Sequence, residues 1–216
     1  RESGLSLFKI SKKRSPVSNV PGEKTSPYQL KVDLPEPICR NRMTENELSD
    51  LPYVNKKKLK EIFSKSETGF PIPPKIGTKN IQLAGCVRWA GASIDTKKNI
   101  MYVSADKHSY LVSIINNSGW IGRYTHKWEQ FVDEKNYPAV KPPWGSIVAL
   151  NLNSGKIIWK IPFGEWEDLK KMNIKKTGTY NRAGVTASRG NLIFASGTQD
   201  NKFSVLNTVN GNELWS

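Results

Sequence analysis

Acidic residues are in short supply in this chain: 19 Asp and Glu stand against 33 Lys and Arg, a formal net charge of +14 over 216 residues. Cysteine is scarcer, with Cys39 and Cys86 alone, which excludes the disulfide frameworks that staple small secreted domains. A single Cys39–Cys86 bond stays open, given an oxidising compartment. Histidine is limited to His108 and His126, and no Cys-x-x-Cys pair occurs, so no zinc site or other metal site is expected among these residues. No run of about eighteen apolar residues is present, so no segment reads as a membrane-spanning helix. The chain opens Arg1-Glu2-Ser3-Gly4 without the apolar core of a secretion signal, so any such signal is expected outside this sequence.

The basic excess invites comparison with nucleic-acid and anionic-membrane binders. The lysines are nevertheless dispersed in short runs, such as Lys56-Lys57-Lys58, Lys97-Lys98, Lys170-Lys171 and Lys175-Lys176. Neither a recognition helix nor an RNA-binding signature accompanies them. They read as a scattered surface charge, and no nucleic-acid partner is expected.

Two parts differ in character. Residues 1–80 carry prolines at 16, 21, 27, 35, 37, 52, 71, 73 and 74, which interrupt regular structure and predict extended or looped chain packing on the remainder. Thr44 and Glu47 have capping-box spacing, and Leu59, Ile62 and Phe63 recur at helical intervals, so a turn near 44–50 and a short helix near 55–66 are predicted. From residue 81 to 216, short β-prone segments alternate with turn residues: 92–95, 100–104, 110–115, 146–152, 156–161, 185–188, 192–197, 203–207 and 213–215. Many short strands and few helices indicate an all-β sandwich, barrel or propeller.

A repeat selects among these. Residues 149–159 read Ala-Leu-Asn-Leu-Asn-Ser-Gly-Lys-Ile-Ile-Trp, and residues 205–215 read Val-Leu-Asn-Thr-Val-Asn-Gly-Asn-Glu-Leu-Trp. Asn151 matches Asn207, Gly155 matches Gly211, and Trp159 matches Trp215, each 56 residues on. Asn holds a turn through its side chain, Gly supplies a positive φ, and Trp ends the next strand with a large face to bury. A period of this length means one supersecondary unit per repeat.

These residues resemble the tryptophan-docking motif of quinoprotein dehydrogenases, with Asn151 and Asn207 where that motif usually has Asp. Other stretches are similar to the membrane-type glucose dehydrogenase group of the pyrroloquinoline quinone (PQQ) enzymes: Lys141-Pro142-Pro143-Trp144-Gly145-Ser146, Trp89-Ala90-Gly91-Ala92-Ser93-Ile94-Asp95, Thr177-Gly178-Thr179-Tyr180-Asn181, Asn191-Leu192-Ile193-Phe194 and Val20-Pro21-Gly22-Glu23-Lys24-Thr25. The resemblance implies an all-β fold, a partial β-propeller of about three to four blades out of eight, with a Pro-rich, partly helical insert. Both chain ends resemble mid-domain positions, so further propeller blades are expected from a longer parent chain. Also implied are PQQ and calcium as cofactors, with the calcium ligands elsewhere. The expected partners are a sugar or alcohol substrate and a membrane quinone or periplasmic electron acceptor. The expected location is the periplasm, with attachment to the inner membrane through a missing N-terminal part.

Within the chain, the resemblance places the catalytic base before Arg1, so no catalytic residue is expected here. Asp95, Asp106, Asp133 and Asp200 read as turn or surface residues. The candidate cofactor-binding residues are Trp89, Arg88, Asn181, Arg182 and Ser104. Trp89 suits either a quinone rim or inter-blade packing, and Arg88 suits a carboxylate or solvent. Ser104 stands where relatives often carry Asn. Trp144 reads as structural, and a loop with Tyr124, His126 and Trp128 reads as a propeller rim or substrate entrance. A non-enzymatic scaffold of the outer-membrane assembly type, binding peptides, is the alternative.

Overall fold

The computed structural model describes residues 8–32, 34–39, 42–69, 72–117 and 123–216, with the side chains of Ala84, Arg88 and Trp89 outside that description. The N-terminal part holds more strand than its prolines suggest. Strands β1 (Ile10–Arg14) and β2 (Tyr28–Val32) pair antiparallel across the Pro-containing stretch between them. Thr44 and Glu47 form the capping box of a 3-10 turn at Glu45–Glu47, with the Thr44 amide donating to Glu47 Oε2 at 2.7 Å. Helix α1 (Lys56–Ser64) is capped by Asn55, whose Oδ1 accepts from the Lys58 amide at 3.1 Å. Strand β3 (Ser66–Thr68) follows and runs parallel to β4 (Lys79–Asp95).

The main sheet is built on a long hairpin of β4 and β5 (Ile100–Asn116). One edge of β5 pairs with β4. The other pairs first with β7 (Gly145–Asn151) and then with β6 (Tyr124–Gln130). Strand β8 (Ile157–Pro162) closes the order β3-β4-β5-β7-β8. Helix α2 (Glu167–Lys171) leads to a second antiparallel sheet of β9 (Val185–Ala187), β10 (Leu192–Ala195), β11 (Ser204–Asn207) and β12 (Glu213–Trp215).

Segments 92–95, 100–104 and 110–115 are parts of one hairpin, and the described strands form a six-stranded, a four-stranded and a two-stranded sheet; within the first, β4-β5-β7-β8 make a four-stranded unit like that of β9 to β12. Residues 124–130, read as loop, are a strand held by its backbone ladder to β5, which its polar side chains do not advertise.

The two four-stranded units repeat in detail. Asn151 Oδ1 accepts from the amides of Asn153 and Ser154, both at 2.9 Å, and Asn207 Oδ1 accepts from that of Val209 at 2.7 Å. Gly155 and Gly211 take φ of 69° and 74°, and their amides donate back to Asn151 O and Asn207 O. The Leu152 amide donates to Asn99 O at 2.8 Å, as Thr208 does to Asn191 O at 3.0 Å. Asn99 and Asn191 are both left-handed turn residues. From Asn99 to Asn151 is 52 residues and from Asn191 to Asn207 is 16. The first unit therefore carries 36 extra residues between these two turns, spread over a longer β5, a longer β7 and the connection that holds β6.

Aromatic side chains join successive units. The Trp159 indole N–H donates to Thr208 O at 3.0 Å, its ring lies 6.0 Å from that of Tyr102, and it covers the turn at Gly211. Between the sheets sits a core of Tyr102, Ile147, Ala149, Ile193, Ala195 and Leu206. Phe8 lies against Gly155 as Trp159 lies against Gly211. Trp215 is 61% exposed. A separate core joins Met43, Leu51, Leu59, Ile81, Leu111, Phe131 and Trp144, so the helical insert packs on the outer half of the long hairpin.

Candidate cofactor site

All four tight turns, at 96–99, 152–156, 188–191 and 208–212, lie at one end of the two sheets. The long connections 107–144 and 163–184 leave from the opposite end. Every candidate residue lies at that opposite end, where connections can vary without disturbing the blade ladders.

On β5, alternate residues face one way: Tyr102, Ser104, Asp106, His108 and Tyr110. Ser104 is buried, and its Oγ donates to Ala183 O at 2.9 Å. It ties the first sheet to the 181–184 turn rather than presenting a hydroxyl to a ligand. Asn181 sits in that turn, fully buried, with Oδ1 accepting from the Ala183 amide at 2.8 Å. Its Nδ2 is buried without a hydrogen-bond partner, an arrangement that costs about 1–3 kcal/mol unless something else accepts from it. Arg182 is exposed beside it. The side chains of Arg88 and Trp89 lie outside the described residues; their backbone belongs to a break in the β4–β5 ladder between Val87 and Ala92.

Three of the four aspartates hold turns. Asp95 Oδ1 accepts from the Lys97 and Lys98 amides, Asp133 Oδ1 from those of Lys135 and Tyr137, and Asp200 from Thr198 Oγ1 and the Glu165 amide. Asp133 is itself buried, and its Oδ2 accepts from the Tyr53 hydroxyl at 3.0 Å. Burial, with Asp133 beside it, raises the Tyr53 pKa. Asp106 departs from the surface reading. Its carboxylate is fully enclosed and lies 3.2 Å from His108 Nε2, the kind of pairing a buried carboxylate needs. The His108 ring stacks on Tyr180 at 3.7 Å between centroids, and Trp166 meets Tyr180 edge-on. Polar strand residues between two apolar stretches carry no sequence signal for such burial. The period-two alternation on β5 is the one available clue.

Of the tryptophans noted above, Trp144 is buried and donates to Val140 O at 2.7 Å. Trp128 is on β6, half exposed, edge-on to Tyr110. Cys39 and Cys86 are joined in a disulfide, with Cα atoms 5.6 Å apart. The bond borders a cavity of about 230 Å³ that also meets Asp106, Lys107, Trp144 and Lys160. Burial lowers the Lys160 pKa, while its ammonium donates to Ile38 O at 2.8 Å. Among the described residues no group of three or more acidic, Cys or His side chains is placed to hold a metal.

The family model described as the glucose/ethanol/alcohol dehydrogenase beta-propeller domain, PQQ group, matches residues 1–216. The chain belongs to this family. Its two four-stranded units are accordingly blades of a partial β-propeller, and its relatives are quinoprotein dehydrogenases rather than scaffolds. The quinate/shikimate dehydrogenase (quinone) of Acinetobacter baylyi is 32% identical over 91 residues, which is 40% of this chain and 11% of that protein. Quinoprotein glucose dehydrogenase A of Acinetobacter calcoaceticus is 29% identical over 89 residues, 39% of this chain and 11% of that protein. The quinoprotein glucose dehydrogenase of Escherichia coli is 29% identical over 90 residues, again 39% and 11%. The aligned part of this quinoprotein domain thus spans about a tenth of the length of these curated relatives.

Proposed function

We propose that this domain is part of a PQQ-dependent dehydrogenase that oxidises a sugar or another alcohol, including a cyclic hydroxy acid, and passes the electrons to a quinone. The family match supports the enzyme class, and the names of its relatives supply the two substrate types. The structural observation that carries the reading is the enclosed Asn181 amide, a donor without a partner, beside the exposed Arg182. A flat, polyanionic quinone offers carbonyl oxygens to the first and a carboxylate to the second. When bound, PQQ supplies a two-electron acceptor. The chain's own work is to hold it: Ser104 fixes the Ala183 carbonyl, Asn181 shapes the turn through Ala183, and the Trp159 contact keeps the two blades in register. The catalytic base and a calcium ion with its ligands belong, in this reading, to other parts of a longer chain, as do the blades that would cover Phe8 and Trp215. The disulfide fits an oxidising location such as the periplasm.

The test uses the chain at its full natural length. Equilibrium dialysis measures PQQ retention, and dye reduction is assayed with glucose, quinate and simple alcohols, with calcium present. PQQ retention together with PQQ-dependent turnover of one of these is expected. Absence of both would overturn the reading.

A further inference from the structure

The disulfide has a position that its staple role does not require. Cys86 lies within β4 opposite Asp106, yet its φ is 63°, a left-handed conformation costly for a residue with a Cβ. It follows Gly85 at φ 101°, the ladder breaks between Val87 and Ala92, and Gly91 has φ 91°. The chain from 85 to 91 is therefore a shaped bulge in the inner strand, and it carries the Arg88 and Trp89 backbone. Gly85 is required there, since a Cβ would meet the Asp106 carboxylate and lie 2.9 Å from His108 Cδ2.

The other end of the bond is anchored independently. Cys39 closes a strap, 34–39, that runs along the outer edge of the first blade. The Glu36 amide donates to Gly155 O at 2.6 Å, Glu36 Oε2 accepts from the Ile157 amide at 3.1 Å, and Ile38 O accepts from Lys160. Ile38 and Cys39 pack on the buried cluster of Val103, Ala105 and Val148. The bond therefore joins a strap fixed on β7 and β8 to a strained bulge on β4.

We propose that the Cys39–Cys86 disulfide is a redox-sensitive positioning element for the cofactor site: it holds Cys86 left-handed, and so fixes the backbone of the 85–91 bulge in the shape that PQQ binding requires. This rests on the functional reading above. Reduction by a dithiol breaks the S–S bond, gives two Cys thiols and leaves the reductant as a cyclic disulfide. Cys86 is then released toward ordinary strand geometry.

The experiment measures PQQ affinity by equilibrium dialysis, and amide exchange at 85–91 by mass spectrometry, on the full-length chain. The two are compared before and after dithiothreitol, with circular dichroism confirming that the fold persists. Reduction is expected to weaken PQQ binding about tenfold, the scale set by one strained backbone residue, and to speed exchange at 85–91. Dithiothreitol should change nothing in a C39S/C86S variant. In C39S/C86N, affinity should recover relative to C39S/C86S, because Asn tolerates the left-handed region; a bond that merely tethered the strap would show no such recovery. Equal affinity and equal exchange in oxidised and reduced protein would overturn the proposal. If the oxidised protein retains no PQQ at all, the cofactor reading fails, and exchange at 85–91 still decides whether the bond holds the bulge.

Discussion

Replacing Trp159 with Ala tests how the two blades are held together. About half of an indole is buried at this contact, on the order of 100 Å², which at about 25 cal/mol per Å² corresponds to about 2.5 kcal/mol. The lost hydrogen bond to Thr208 O, 3.0 Å in length, adds about 1 kcal/mol. Partial collapse of the space offsets some of this, so we expect Trp159→Ala to destabilise the 216-residue chain by about 3 kcal/mol. Trp215 occupies the equivalent repeat position but is 61% exposed, and Trp215→Ala should cost under about 1 kcal/mol. Urea titrations followed by circular dichroism supply both values from shifts in the midpoint at constant slope. A Gly211→Ala change adds a coupling test. Its new Cβ would lie 3.0 Å from the Trp159 ring, on a residue with φ 74°. It should therefore cost less in the Trp159→Ala background, where the backbone strain and the 3.1 Å approach to Ile161 Cγ2 remain but the ring contact is gone. Equal costs for the two tryptophans, or strict additivity with Gly211→Ala, would refute the idea that the indole on the neighbouring turn joins the blades.

Trp144→Phe keeps the buried ring but strands the Val140 carbonyl, and should cost about 1–2 kcal/mol by the same titration. Asn181→Leu, measured in the full-length chain by dialysis, should weaken PQQ retention by about tenfold or more while the fold persists, since it removes the enclosed amide. Glu165 is pushed up by burial, but the Lys176 amide, Lys170 and Lys202 outweigh this and hold its pKa below the ordinary 4.5. A lowered carboxyl contributes stability that is present above pH 4.5 and lost as the pH falls through the folded value. The acid limb of a stability–pH curve should therefore be shallower in Glu165→Gln than in the wild type.

What could be read from sequence was what depends on local chemistry. Asn151 and Gly155, with their counterparts Asn207 and Gly211, announce a turn because each acts within a few residues of itself; Trp159 and Trp215 mark the strand that follows, although the Trp159 contact lies 49 residues away at Thr208. The capping pair Thr44 and Glu47 is legible for the same reason. The long hairpin was not, because Asp106, Lys107, His108 and Ser109 read as a polar break; their burial is decided by Tyr180 and Trp144, far along the chain. Strand β6 was hidden because most of its side chains are polar and exposed, although Trp128 meets Tyr110 across the pair. The Ser104 hydroxyl is engaged by the Ala183 carbonyl, a contact that only tertiary structure defines. The pairing of Cys39 with Cys86, 47 residues apart, likewise depends on where the strap runs.

The contact of Trp159 with Gly211, mirrored by Phe8 with Gly155, has a polarity: each repeat offers an aromatic plug to its successor and a glycine socket to its predecessor. In the language of assemblies this is a heterologous, head-to-tail joint, which satisfies every member only when the rotation per step closes a circle. Stability in such an arrangement is a property of closure as much as of any blade. Trp215, exposed here, holds the same repeat position as the Trp159 plug, and by the same logic is a surface prone to find a socket on another molecule.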